Sequence, residues 1–93
     1  MTDESRRPRA RHDVISRSLG DDEWALFDPV VERVHALNLS AAILWEYLDG
    51  TRDVAALTGV LHEHFPDAEP GGLATDVTAA LHRFEEEGLL EWV

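Results

Sequence analysis

Arg33-Val34-His35-Ala36-Leu37-Asn38-Leu39-Ser40-Ala41-Ala42-Ile43-Leu44-Trp45, residues 33–45, holds the change of hydrophobic period that decides the fold. Upstream of Asn38 the period is closer to two than to 3.6, as in half-buried strands. Downstream of Asn38 it turns helical, with Ile43 and Tyr47 four apart and Trp45 beside them. Either Asn38 or Ser40 offers a side-chain oxygen to cap a helix running to about Leu48. Asp49-Gly50 then ends it, because glycine adopts the left-handed conformation common just past a helix.

Working back from that junction, residues 14–18, 24–28 and 33–37 are short, rich in β-branched or aromatic side chains and bounded by turn chemistry. Gly20-Asp21-Asp22 supplies one turn. Asp28-Pro29 supplies the next, with proline suited to the second position of a type I turn. Connections this tight join antiparallel neighbours, since parallel strands need long crossovers. One face of such a sheet meets the core and the other meets water, and its outer strands have open edges.

Working forward, Asp53 caps a second helix with the stripe Val54, Leu57, Leu61, Phe65. Pro66 and Pro70-Gly71-Gly72 break the chain. A third helix carries Leu73, Val77, Ala80, Leu81 and Phe84 on one side and stops at Gly88. Leu89, Leu90, Trp92 and Val93 are too apolar for a loose tail and are expected to dock on the core. The order β-β-β-α-α-α defines an α+β domain. Trp45, Leu61, Val77, Leu81 and Phe84 are its expected core. Residues 1–12 are polar, contain Pro8 and show no apolar period, so they read as a flexible basic arm before a domain over residues 13–93.

Composition narrows the function. A chain of 93 residues supports one modest core rather than a cleft between lobes. It has no cysteine, which removes disulfides, thiolate zinc sites and cysteine nucleophiles and fits a cytoplasmic setting. No apolar run approaches the roughly 20 residues that span a bilayer. Net charge is −11, and four of the eight arginines (Arg6, Arg7, Arg9, Arg11) sit in the first eleven residues, so the domain itself is more acidic still. Such a body repels the phosphates that dominate nucleic-acid affinity.

No motif for catalysis or cofactor binding appears. His62 and His64 are two apart on a helix, pointing about 200° from each other, whereas metal pairs on helices use spacings of three or four. His35 lies in a strand and His82 on another helix, without a carboxylate or cysteine set around them. Gly71-Gly72 lacks a phosphate-loop pattern, the chain has no lysine, and no G-x-S-x-G turn occurs. Glu85-Glu86-Glu87 reads as a solvated face. A non-catalytic protein with no metal and no cofactor is the expectation.

One collinear set of residues is more specific than composition. Trp24-Ala25-Leu26-Phe27-Asp28, then residues 34–45, then Asp49-Gly50-Thr51, and later Asp76-Val77, Leu81, Phe84 and Gly88-Leu89-Leu90, resemble the PqqD-like family across residues 13–91. Family members show a strand ending in Asp, Leu-Asn at the strand-to-helix junction, a Leu-Trp pair, Asp-Gly after the first helix and Gly-Leu-Leu after the last. The turn Pro29-Val30-Val31-Glu32 departs from the pattern by lacking a glycine, which leaves the register of the third strand open.

The resemblance implies a winged-helix-like fold and a role as a recognition element, or peptide chaperone, in natural product biosynthesis. Such proteins bind the leader of a ribosomally synthesised precursor peptide as an added strand and present it to a modifying enzyme, commonly a radical-SAM maturase. The peptide site expected here is a groove formed by Arg33, Val34, His35, Ala36 and Leu37 together with one flank of the last helix. With Val77 inward, 100° per residue groups Asp76, Ala80 and Arg83 on that flank, with Leu73 at the helix start. Ala74, Thr78 and His82 fall on the opposite flank. Val34, Leu37 and Ala80 are expected to receive apolar leader residues, and Arg33 and Arg83 acidic ones. The alternative function is a winged-helix DNA-binding regulator, which would need a basic recognition helix; here Arg83 is outnumbered by Asp76 and Glu85–Glu87. A further class, a structural subunit of a larger enzyme, would co-purify with that enzyme without any peptide.

Overall fold

A computed structural model describes residues 6–21 and 23–93 of the chain. The elements run β1 (Pro8–Ala10), β2 (Ile15–Gly20), β3 (Glu23–Asp28), β4 (Arg33–Leu37), α1 (Leu39–Glu46), α2 (Val54–His64), α3 (Pro70–Glu86) and β5 (Leu90–Trp92). The period-two region forms an antiparallel sheet in the order β2-β3-β4, and three helices follow, as the α+β reading expects. Asp22, in the turn expected between β2 and β3, lies outside the described residues.

The register left open by the missing glycine is regular: Asp28 faces Arg33, Leu26 faces His35 and Trp24 faces Leu37. The turn achieves this by putting Glu32 itself in the left-handed region, at φ 54. Trp24, Leu26 and Leu37 turn to the helices, where they join Leu44, Trp45, Leu57, Leu61, Val77, Leu81 and Phe84 in one core. Trp45 meets Phe84 edge-on, with ring centroids 5.3 Å apart. All five residues expected in the core are buried.

The helix ends follow local chemistry. Asn38, rather than Ser40, caps α1, accepting the Ala41 N–H at 2.9 Å, and Asp53 caps α2 through Ala56. Two boundaries differ from expectation. Pro70 is the first residue of α3 rather than part of a break, since its missing N–H and fixed φ suit a helix start. The first helix stops at Glu46, short of Leu48, with Tyr47 as its C-cap. Gly50 (φ 83) serves another purpose: a Cβ there would lie 3.1 Å from Val93, and its N–H donates to Pro8. Gly88 does close α3 as expected. Its N–H donates to Glu85 and the Leu89 N–H to Phe84, the paired bonds of a Schellman ending.

The expected mobile arm needs correcting where it is described. Pro8, Arg9 and Ala10 pair antiparallel with Trp92, Glu91 and Leu90, so β1 and β5 form a second, two-stranded sheet. Pro8 is fully buried, and the main chain of residues 7–11 also bonds to Leu48, Leu89 and Val93. The docking expected of the C-terminal residues thus takes the form of strand pairing. Residues 1–5 of the expected arm lie outside the described residues. A three-residue strand shows no period, and its partner lies at the far end of the chain, so side-chain pattern alone does not reveal it.

Candidate functional site

Among the described residues β4 is an edge strand, paired with β3 on one side only. In an antiparallel ladder alternate residues turn their N–H and C=O groups away from the neighbour. The Ala36 carbonyl is reached from outside by Arg83 of α3, whose Nη2 donates to it at 2.9 Å. Ala36, and Val34 two residues earlier, therefore carry the outward main-chain groups. A second contact crosses from β4 to the C-cap of α3 nearby, Arg33 Nη1 to Glu87 Oε2 at 3.2 Å.

Side chains on β4 follow the opposite logic. His35 and Leu37 turn inward, while Val34, 67% exposed, stands on the solvent face of the sheet. Leu37 and Leu73, 5% and 4% exposed, are committed to the core. The expectation that Val34 and Leu37 receive apolar groups in the groove is therefore corrected: period-two alternation points one into the core and the other to the far face. What β4 offers at its edge is backbone. His35 is also buried, and its Nε2 has no hydrogen-bond partner among the described residues.

The helical side of the site is grouped as the 100° geometry expects. Asp76, Ala80 and Arg83 line one concavity, with Ala79 and Phe84. Its facing wall is the N-cap and start of α1, Asn38, Ser40 and Ala41, so the hollow continues from the end of β4 rather than lying over residues 33–36. Ala74, Thr78 and His82 share the other flank, on a separate open surface.

Glu87, Asn38 and Ala41 were not among the expected site residues. Glu87 belongs to a glutamate run that looks like solvated surface, and nothing in sequence ties it to Arg33, 54 residues away. Asn38 was legible only as a cap. The hairpin that presents β4 is anchored from below by Asp28, 2% exposed, which accepts both terminal nitrogens of Arg11 and the Val30 N–H. Arg11 also bonds Asp13. These hydrogen bonds to Arg11 outweigh desolvation and hold the Asp28 and Asp13 carboxyls below the usual carboxylate range.

Among the described residues no group of three or more His, Asp or Glu side chains is placed to hold a metal ion, and no helix is long and apolar enough to cross a membrane. An open strand edge beside a helical wall is suited to main-chain pairing with an extended peptide.

Comparison with known proteins bears on the same elements. A PqqA binding protein of Klebsiella pneumoniae (strain 342) is 46% identical over 50 residues, covering 54% of this chain and 52% of the relative. The chain thus matches about half the length of the curated relatives. The PqqD truncation of Methylobacterium extorquens PqqCD, solved as a stand-alone recognition element for ribosomally synthesised and post-translationally modified peptides, superposes with a TM-score of 0.76 at 24% identity, covering 98% of this chain and 95% of that one. TbiB1, solved in complex with the TbiA(beta) leader peptide, gives 0.74 at 17% identity, covering 89% and 94%. At such identities the likeness establishes the fold. The model of the family described as Coenzyme PQQ synthesis protein D matches residues 23–90, the span from the first residue of β3 to the first of β5, and so takes in the free edge, all three helices and the α3 ending; the chain belongs to the PqqD family.

Proposed function

We propose that this protein is a non-catalytic, cytoplasmic peptide chaperone. It captures the leader of a ribosomally synthesised precursor by strand addition at β4 and presents the following segment to a modifying enzyme, a radical-SAM maturase. It works without a cofactor of its own. The observation that carries the reading is the free edge of β4, with the outward main-chain groups of Val34 and Ala36 beside the α3 flank of Asp76, Ala80 and Arg83. Family membership supports it, as do the PqqA binding relatives and a similar fold solved with a leader peptide bound.

In this reading backbone hydrogen bonds supply most of the affinity, which is expected near micromolar, about −8 kcal/mol. Arg33→Ala weakens binding without abolishing it, since Arg33 lies at the rim and is already shared with Glu87. Proline in the central leader residues is far worse, because it removes a ladder donor. The test is an NMR titration with the leader of the precursor encoded beside this gene. Amide shifts at Arg33–Leu37 and along residues 73–87 are expected. Shifts confined to α2 would place the peptide elsewhere and refute the β4 site.

A further inference from the structure

Resting on that reading, we propose that Arg83 is a displaceable latch on the β4 edge, and that it selects guest strands bearing a carboxylate opposite it. The Ala36 carbonyl is one of the few acceptors the edge can offer, and Arg83 already occupies it. A guest strand that pairs through Ala36 competes with the guanidinium for that oxygen.

That guanidinium has an unspent charge. Among the described residues Arg83 forms no ion pair, although it sits in the acidic last turn of α3. Glu87 is engaged by Arg33 and Glu86 by His82. Asp76, on the same flank, is nearly two helical turns away and makes no ion pair with it. A guanidinium has five N–H donors in a fork that fits a carboxylate, and here one bond to a neutral carbonyl is recorded. Charge-assisted bonds are about twice as strong as neutral ones. A guest N–H replacing Arg83 on Ala36, with a guest carboxylate receiving Arg83, satisfies every group. A guest without the carboxylate leaves Arg83 to water alone. The latch also covers an edge that would otherwise invite unspecific strand pairing. Because Arg83 is exposed, the selectivity is modest, about two- to fivefold.

The experiment is a double-mutant cycle. The leader encoded beside this gene is titrated, with each Asp or Glu changed singly to Asn or Gln, into the native protein and into Arg83→Gln, with urea midpoints confirming that both are folded. One acidic-to-amide change is expected to weaken binding to the native protein about two- to fivefold and to be silent in Arg83→Gln. The Ala36 carbonyl ¹³C signal should move in the free protein on going from native to Arg83→Gln. If every leader change has the same effect in both proteins while the Val34 and Ala36 amides still shift, the latch is wrong and the strand reading stands. If those amides do not move at saturation, strand addition itself fails and the latch falls with it.

Discussion

The Arg11 guanidinium donates five hydrogen bonds, to Asp13, Asp28 and the Gly88 carbonyl, and so uses its whole donor set. It ties the first strand, the β3–β4 hairpin and the end of α3 at one point. Asp28 and Asp13 have folded-state pKa values below those of the unfolded chain. Near pH 4 the unfolded chain therefore binds protons that the folded chain does not. Their contribution is complete above about pH 5 and is lost as pH falls through the lower folded values. Urea midpoints should drop below that pH, and Asp28→Asn, less stable at pH 7, should show a shallower further loss at pH 3. An equal loss in both proteins would remove Asp28 from the acid limb. Glu32 gives a prediction of opposite sign. Its left-handed φ of 54 strains a side chain that glycine lacks. Glu32→Gly should raise stability by about 0.5–1 kcal/mol, the relief of strain exceeding the added freedom of the unfolded chain. A lower urea midpoint would show that the side chain contributes more than the turn costs.

Among the elements, β1 departs most from a sequence-based expectation. It has three residues, with a proline and an arginine, yet it pairs with β5, buries Pro8 and accepts the Gly50 N–H at the Pro8 carbonyl. The Asp-Gly motif after α1 is thus a docking point for the N-terminal segment, which neither motif nor period discloses. A chain shortened to begin at Arg11 should unfold at clearly lower urea concentration than the full chain, because β5 becomes unpaired and Leu48 and Leu89 lie at a new surface. Unchanged midpoints would mean that β1 contributes nothing to the folded state. Local signals fared better at helix ends. Asn38, Asp53 and Gly88 act as the capping rules require because their partners lie within a few residues.

At the scale of the whole molecule a single core joins the sheet to all three helices. Total stability for a domain of this kind is about 5–15 kcal/mol. Leu81, 2% exposed in this core, should cost about 2–5 kcal/mol when cut to alanine. Denaturant melts giving less than ~1 kcal/mol would mean that the site collapses and the α3 stripe is not a core stripe. The net charge of −11 is carried outside this core and gives the chain as a whole a field that repels phosphate backbones.

The sequence by itself determined what depends on neighbours along the chain: the alternation of β3 and β4, the helical stripes, the caps, and the grouping of Asp76, Ala80 and Arg83 on one flank. It also carried the family, through residues kept in order rather than through any one motif. Only the tertiary structure decided which main-chain groups are free and what covers them. Arg83 on Ala36, Arg33 on Glu87, Arg11 on Asp28 and β1 on β5 join residues 17 positions apart or more. Such contacts leave no periodic trace, because their geometry is set by how the sheet and helices pack and not by the chain between them.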